Sequence, residues 1–347
     1  MNLFRALINM MLLAILAAGG FAAWVYHELR TPVQYAAKDQ PLVVAKGERL
    51  DQVLSDLKAQ GVINHTLPMR VYLKLSRRQP LVQAGNYYFA DPASPLQVLD
   101  KLQQGGQFDR ITVIEGWNRW DIADALARLP ALKLKDKNAA LKMINDARYI
   151  ADLDPKADSL EGYLFPDTYF VVANSTARDV ILDMVNRFKQ VWDEKLQEVA
   201  RRNGISTHDA VTIASIIETE AKLKSERPII ASVIINRLRH NMPLGVDSTL
   251  VYASKMAGTW KNDGKVYQSD IDRSSPYNTR KNIGLPPGPV GCPGLSSLEA
   301  AVSPARTDYL YYVRNPDRYD GAHSFYADEK GFAAGVQALR AWEQKQH

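Results

Sequence analysis

The sequence has little cysteine. Cys292 is the one thiol among 347 residues, which excludes an intrachain disulfide framework and a cysteine metal cluster. The six histidines lack close ligand spacing such as H-E-x-x-H, so the sequence predicts neither a metal nor another cofactor. There is no internal repeat, low-complexity tract or nucleic-acid-binding motif, and a net charge of +5 does not demand nucleic acid as a partner. The chain does have 46% apolar residues and a length sufficient for two domains, which is typical of a globular protein.

One long apolar run, from Ala6 to Tyr26, is interrupted by Asn9 alone. As a helix it spans roughly 31 Å, about one bilayer core, with Trp24 and Tyr26 where an aromatic belt would lie. The alternative is a cleaved signal peptide, because small residues before position 24 suit cleavage. We favour a retained anchor, since the apolar run continues beyond those sites. Residues 1–30 are therefore predicted to form a cytoplasmic end and a transmembrane helix.

Residues 31–41 have linker composition, and residues 42–106 are predicted to form a small βααβ module followed by a helix. The expected elements are a strand within Pro41–Glu48, helices over Arg49–Gln60 and Thr66–Leu75, a strand over Gln83–Ala90, and a helix that opens at Ser94 and Pro95 and closes at Gly105. This pattern resembles a LysM-like module, the small fold that binds N-acetylglucosamine chains. The alternative is a packing domain without a sugar site.

Residues 107–347 are predicted to form a mixed α+β domain, so the whole chain belongs to the α+β class. The expected elements are a strand over Gln107–Glu115, one long helix over Ala177–Arg202, a helix ending near Leu223 and a helix over Glu226–His240. Turns are expected to dominate from Met242 onward, with a short helix over Ser297–Val302 and strands over Tyr309–Val313 and Ala322–Tyr326. The aromatic segment 160–172 suits either a sugar-binding cleft or ordinary core, and core is the better interpretation. The proline-rich loop 284–294 suits a rigid cleft wall.

The chain is organised around the helix that contains Val211–Lys222, with Ser206 and Asp209 as its capping signature. Small and apolar residues recur along one face of this helix, which also carries Glu218 and Glu220. The neighbours of Glu218 one turn away are mostly small, whereas those of Glu220 are bulky. A roomy apolar groove disfavours the charged form of a carboxyl group, as a general acid requires.

The alternative interpretation is that both glutamates form i,i+4 pairs with Lys222 and Lys224 on a solvated face. Spacing alone favours this alternative. The motifs in the rest of the chain favour the first interpretation.

These motifs occur together and in order along nearly the whole chain. They are Glu115-Gly116, Glu161-Gly-Tyr-Leu-Phe-Pro-Asp167, Ala214-Ser-Ile-Ile-Glu-Thr-Glu220, Ser225-Glu-Arg227, Ile235-Asn-Arg-Leu238, Asp247 with Thr249 and Tyr252, Ser275-Pro-Tyr-Asn-Thr279, Gly284-Leu-Pro-Pro-Gly-Pro289 and Pro293-Gly294. The chain thereby resembles the endolytic murein transglycosylases, the MltG/YceG-like family.

The resemblance implies a catalytic domain with a lysozyme-like glutamate on a helix, and this glutamate is Glu218. It implies cleavage of the β-1,4 bond between N-acetylmuramic acid and N-acetylglucosamine without water, which leaves a 1,6-anhydro end. Candidates for positioning the substrate are Glu220, Asn236, Asp247, Tyr277 and Asn278, although each also suits a structural cap or turn. Two alternative functions remain: a muramidase that uses water, and a non-catalytic scaffold that binds the cell wall.

The implied partners are peptidoglycan strands, the membrane and peptidoglycan synthases. The implied location is the cytoplasmic membrane, crossed once, with the catalytic domain on the periplasmic side. The chain departs from the family pattern at Gly245, where the family often has Gln, and at Arg280, where Tyr is usual. These departures affect substrate contacts and leave Glu218 unchanged.

Overall fold

The computed structural model describes residues 2–35, 41–45, 47–76, 82–89, 91–106, 109–171 and 175–345. Parts of the predicted linker, the ends of two predicted strands at Ala90 and Gln107, and the end of the aromatic segment at Val172 lie outside the described residues. The chain divides into two compact units. The first contains Met1–Arg110 with Phe170–Ser175, and the second contains Ile111–Tyr169 with Thr176–His347. The described elements are mainly helices with short paired strands, so the mixed α+β class is confirmed.

The first unit contains the predicted βααβ order. Its elements are α1 (Asn2–Arg30), β1 (Leu42–Val44), α2 (Leu50–Ala59), α3 (Leu67–Ser76), β2 (Gly85–Tyr87) and α4 (Pro95–Gln104). Strands β1 and β2 are antiparallel, with Leu42 opposite Tyr87. Ser94 forms a capping box with Gln97 at the start of α4, as the Ser-Pro signature predicts.

Helix α1 contains a stretch, Leu7–Arg30, that is long and apolar enough to cross a membrane. Its last two turns also belong to the core of the first unit, since Val25 and Leu29 are buried there and α1 packs against α3 and α4. The ring of Trp24 lies 5.7 Å from that of His65, so this predicted belt residue contacts the unit. The helix therefore continues directly into the folded module.

The elements from residue 109 onward include one helix that is buried along most of its length. They are β3 (Asp109–Thr112), α5 (Arg119–Ala127), α6 (Lys137–Ile144), β4 (Thr168–Val171), α7 (Ala177–Val191), α8 (Glu194–Arg202), α9 (Thr207–Glu220), α10 (Arg227–Arg239), α11 (Asp247–Met256), α12 (Gln268–Ile271), α13 (Leu295–Val302), β5 (Tyr311–Arg314), β6 (His323–Tyr326) and α14 (Glu329–Gln344). Strand β3 pairs with β4, and β5 pairs with β6 in antiparallel register.

Helix α9 is the central element of the second unit. Ser206 is its N-cap and accepts a hydrogen bond from the backbone N–H of Asp209, so the predicted cap is confirmed. All residues from Ala210 to Ile217 are buried. The expectation of a single apolar face is therefore wrong: α9 packs against α8, α10, α11 and α13, and a helix enclosed in this way is buried all round.

Two other expectations about helices are wrong. The predicted long helix 177–202 is divided into α7 and α8, because Asp193 caps a new helix by accepting from Leu196 N. The region after Met242 contains α11 and the 16-residue α14 in addition to turns. Gly335 lowers the helical signal of α14, but a Cβ at this position would lie 2.5 Å from the hydroxyl of Tyr326.

The aromatic segment 160–172 is part of the core. Tyr163, Phe165 and Tyr169 are buried, so the core interpretation is confirmed for these rings. The ring of Tyr163 contacts that of Phe188, so this segment packs against α7.

Candidate active site

Glu218, in the last turn of α9, is bonded through both oxygens of its carboxyl group. Oε1 lies 2.5 Å from Nη2 of Arg227, and Oε2 accepts a hydrogen bond of 2.9 Å from the backbone N–H of Gly294. Arg227 is the first residue of α10, and Gly294 is the N-cap of α13. The carboxylate therefore lies between the guanidinium of Arg227 and the N-terminus of α13.

Arg227 connects Glu218 to a second carboxylate. Its Nη2 also lies 3.7 Å from Oε2 of Glu115, and its Nη1 donates to the hydroxyl of Ser296. The side chains of Glu218 and Arg227 are only 4% and 5% exposed, whereas that of Glu115 is 42% exposed. The group thus consists of a buried ion pair beneath an accessible carboxylate.

This environment differs from both interpretations made from the sequence. The expected apolar groove around Glu218 is instead a guanidinium and a backbone amide. The alternative of lysine pairs on a solvated face is wrong, because Glu218 pairs with Arg227 and is almost fully buried. Local spacing could not reveal this, since α9 ends at Glu220 and the chain turns before α10 begins.

The proline-rich loop runs along one face of α9. His208 bonds to the carbonyl oxygen of Pro287 at 2.8 Å, Ser215 accepts from Val290 N at 3.0 Å, and Glu218 accepts from Gly294 N. Residues seven and three apart lie on the same side of a helix, so these contacts form a continuous row. The row fixes the loop as one rigid wall beside Glu218.

The turn that carries Glu115 is joined to the same loop. Gly116 N donates to Cys292 O at 2.9 Å, and Cys292 N donates to Trp117 O at 2.7 Å. A Cβ at Gly294 would lie 2.0 Å from Oε1 of Glu115, so the carboxylate can occupy its position only because residue 294 is glycine. The loop therefore positions both carboxylates.

Glu220 points to a different part of the second unit. Its Oε2 accepts a 2.8 Å hydrogen bond from the hydroxyl of Tyr312 on β5, and burial raises its pKa. Nearby, His323 on β6 donates its backbone N–H to Glu226, and its ring Nδ1 lies 2.8 Å from the other oxygen of this carboxylate. Glu220 and Glu226 thus hold the β5–β6 hairpin against the ends of α9 and α10.

The other predicted positioning residues are occupied by structural contacts. Asp247 pairs with Arg280 at 2.6 Å. Asn278 is fully buried and donates to the carbonyls of Ile271 and Arg273. Each side chain therefore ties two segments of the second unit together.

Tyr277 and Asn236 also lie in structural positions. The ring of Tyr277 is buried 4.8 Å from that of Tyr252, and burial raises its pKa. Asn236 donates to the carbonyls of Thr307 and Tyr309 near the C-terminal end of α10. The contacts described here bring neither residue to Glu218.

The two residues that depart from the family pattern, Arg280 and Gly245, both form contacts with nearby residues. Arg280 forms the ion pair with Asp247, and Gly245 adopts a left-handed backbone (φ +67°) while donating to Thr279 O. A substitution at Gly245 would strain this turn.

Sequence reasoning assigned no role to Arg227, Glu115 or Gly294, although each lies in a motif quoted above. A signal was therefore present, but nothing in the local spacing links these residues to Glu218. Within the described ranges, no cluster of three or more His, Cys, Asp or Glu side chains could hold a metal ion.

The YceG-like family matches residues 42–338 of this chain. An endolytic murein transglycosylase of Bacillus subtilis is 35% identical over 287 residues, which cover 78% of this chain and 77% of the relative. An endolytic murein transglycosylase of Streptococcus pneumoniae is 28% identical, and the match covers 87% of this chain but 59% of that longer relative. A crystal structure of a protein described as YceG-like from Listeria monocytogenes has 29% identity and a TM-score of 0.59, and the match covers 86% of this chain and 99% of the other.

Proposed function

Because this chain belongs to the YceG-like family of endolytic murein transglycosylases, we propose that it cleaves the β-1,4 bond between N-acetylmuramic acid and N-acetylglucosamine and leaves a 1,6-anhydro end. One observation carries the proposal. Glu218 is held at the end of a buried helix, has one donor on each oxygen, and lies below the accessible carboxylate of Glu115.

Glu218 acts first as the acid and then as the base. Each carboxyl oxygen has two acceptor positions, and Arg227 and Gly294 occupy one on each oxygen. The ion pair with Arg227 favours the charged form, so Glu218 takes up its proton on Oε1 after the guanidinium has moved away. Glu218 gives this proton to the glycosidic oxygen as the bond to C1 breaks, and its carboxylate then takes the proton of the C6 hydroxyl as O6 attacks C1. No water is consumed.

Substrate reaches Glu218 when Arg227 moves. The Glu218 side chain is 4% exposed, so a sugar can contact it only after the guanidinium shifts. Glu115, at 3.7 Å from the same nitrogen, is a ready second acceptor. In addition, Nε of Arg227 is buried without a hydrogen-bond partner among the described residues, which costs free energy until a substrate oxygen accepts from it.

Glu115 stabilises the positive charge that develops at C1. Its carboxylate shares Arg227 with Glu218 and is accessible from solvent, so it can face the oxocarbenium-like state from the outer side of the site. Under this mechanism Glu115 contributes electrostatically and forms no bond to the sugar.

The same geometry favours a second candidate function, hydrolysis. The two carboxylate oxygens that face Nη2 of Arg227 are at most about 6.2 Å apart, the sum of their distances to this nitrogen, which is close enough for a pair of carboxylates that act on one glycosidic bond. In a hydrolase Glu115 would therefore be the second carboxylate, which acts as the nucleophile or activates water.

Product analysis separates the two candidates. The full-length protein is incubated with uncrosslinked glycan strands, and the fragments are identified by mass spectrometry. Transglycosylation gives anhydro ends, one water lighter than reducing ends, and Glu115→Gln slows the reaction without changing the product. Reducing ends from the unmodified protein, abolished by Glu115→Gln, would instead establish hydrolysis.

In this proposal the first unit determines where in the cell the protein acts. Helix α1 remains as an anchor in the cytoplasmic membrane, the catalytic unit lies on the periplasmic side, and the βααβ module binds N-acetylglucosamine chains as LysM-like folds do. The burial of Val25 and Leu29 supports retention of α1, since the module uses the end of this helix in its core. Protein recovered in the soluble fraction with its N-terminus removed would contradict the anchor. Association with peptidoglycan synthases is tested by co-purification.

A further inference from the structure

A cavity of about 790 Å³ lies at the end of α10 that is remote from Glu218. Its walls are the last turns of α10, the connection between α8 and α9, and the segment 303–308 that follows α13. This volume is within the range of small-molecule sites, roughly 300–1,000 Å³. The mechanism proposed above does not use it.

The walls of this cavity are polar and prearranged. Asn236 donates its amide N–H groups to Thr307 O and Tyr309 O, and Asn203 donates to Val302 O at 2.7 Å. In the part of the chain that the structure describes, no group donates to the side-chain oxygen of either asparagine. These two oxygens are therefore available as acceptors for a ligand N–H.

Two arginines on this cavity have no acidic partner. Arg239 and Arg306 both line it and are exposed, and among the described residues no carboxylate lies within 4.0 Å of either guanidinium. By contrast, Arg280 and Arg227 in the same unit are paired with carboxylates. Guanidinium groups without a counter-ion attract carboxylates, which they can bind through two parallel hydrogen bonds. Asp308, which also lines the cavity, lacks a cationic partner in the described ranges and suits an amine.

The cavity and Glu218 lie at opposite ends of the same two helices. Helices α10 and α13 begin at Arg227 and Gly294, which bond to Glu218, and their C-terminal ends lead into the cavity walls. Helix α10 has 13 residues and is thus about 20 Å long. An extended peptide of five residues reaches about 17 Å, which is comparable with the length of α10.

We propose that this cavity binds the peptide stem of murein, with Arg239 and Arg306 on its carboxylates. The inference rests on the proposed function, because the stem is attached to the N-acetylmuramic acid next to the bond that is cut. A stem carries free carboxylates, a chain of amides and an amine, which match the arginines, the asparagine oxygens and Asp308. The cavity thereby makes the enzyme prefer strands that retain their stems.

The direct test is binding of a free stem peptide, by calorimetry, to the full-length protein that carries Glu218→Gln to prevent turnover. Replacing both Arg239 and Arg306 by Ala removes two charge-assisted contacts and should weaken binding by at least about tenfold. Arg340→Ala, at an exposed arginine of α14 outside the cavity, should leave binding unchanged. Absence of peptide binding, or equal binding by the double variant, would overturn the inference. So would arginine-dependent binding of inorganic phosphate or anionic vesicles in place of the peptide.

Turnover measurements separate this inference from the proposed function. On strands with stems, the Arg239→Ala and Arg306→Ala double variant should raise KM about tenfold at unchanged kcat, whereas on strands stripped of stems it should change neither constant. An equal rise of KM on strands with stems and on strands without stems would show that the cavity does not bind the stem. If the peptide binds but neither kind of strand is cut, the inference stands and the proposed function fails. If strands are cut but the peptide does not bind, only the inference is rejected.

Discussion

Arg227 and Glu218 form a buried ion pair whose partners depend on each other. Removing one charge leaves the other buried and uncompensated, which typically costs about 3–5 kcal/mol. We therefore expect Arg227→Ala to lower the free energy of unfolding by several kcal/mol, measured by denaturant titration. Arg128→Ala is the matched control, because the Arg128–Asp124 pair is 78% and 44% exposed and should contribute at most about 1 kcal/mol.

A double-mutant cycle tests whether the two charges act as a unit. In the variant with both Arg227→Ala and Glu218→Gln no buried carboxylate lacks a partner, so the combined loss of stability should be smaller than the sum of the single losses by about 1 kcal/mol or more. Additive losses would mean that the ion pair is not coupled in solution.

Glu161 gives the second unit a dependence on pH. Burial raises its pKa to about 7 from 4.5, although it accepts hydrogen bonds from Arg119 N and from the hydroxyl of Tyr252. The folded protein holds this proton more tightly than the unfolded chain, so the stabilising contribution is complete below pH 4.5 and is lost as the pH rises to about 7. Thermal unfolding of the wild type and Glu161→Gln should diverge over this window, with the wild type losing stability on the order of 3 kcal/mol relative to the variant. Parallel pH profiles would contradict this assignment.

At the level of single residues, the sequence predicted Glu218 as the candidate acid and did not predict its surroundings. The small neighbours of Glu218 and the motif resemblance both select this glutamate. Its partners come from elsewhere: Arg227 begins the next helix, and Glu115 lies in a turn that precedes α5. Such contacts depend on how α10 and α13 begin beside the end of α9, which no local pattern specifies.

At the level of elements, His208 is the first of the contacts that hold the proline-rich loop on α9. Its Nδ1 lies 2.7 Å from Asp154 and its Nε2 lies 2.8 Å from Pro287 O, and only the doubly protonated ring can donate to both acceptors. The hydrogen bond with Asp154 raises the pKa of His208, and Asp209 acts in the same direction.

This contact predicts a loss of stability at alkaline pH. Because the pKa is higher in the folded state, the contribution is complete below the unfolded value of about 6.5 and disappears as the pH rises through the folded value. The difference in melting temperature between the wild type and His208→Gln should therefore shrink above about pH 6.5. His240→Gln, at an exposed histidine after α10, serves as the control and should show no such trend. A difference that is constant with pH would show that His208 does not donate to both acceptors.

Elements with strong local signals were predictable, and those shaped by tertiary contacts were not. The caps at Ser94 and Ser206 are short-range patterns, and both are present. The break at Asp193 was missed because the residues on both sides of it favour helix. Helix α14 was missed because it contains glycine where Tyr326 packs closely.

At the level of the whole molecule, the end of α1 is part of the fold of the first unit. Val25 and Leu29 are buried there, and burying such a side chain contributes roughly 1.5–3 kcal/mol. A variant that lacks residues 1–30 should therefore unfold more readily in its first unit than one that lacks residues 1–20, as measured by hydrogen exchange in α3 and α4. Equal protection in both variants would mean that α1 is a separable anchor.

The order of the elements in the first unit could largely be predicted from periodicity and caps. The packing of α1 into the module could not, because an apolar helix of this length gives the same pattern whether it crosses a bilayer or ends in a core. Val25 and Leu29 differ from their neighbours in location and not in residue type.

The most direct test of the central claim is the release of glycan fragments by the full-length protein and by its Glu218→Gln variant, with thermal unfolding to establish that both are folded. We predict anhydro-ended fragments from the wild type and none from the variant. Fragment release by Glu218→Gln at the wild-type rate would contradict the account.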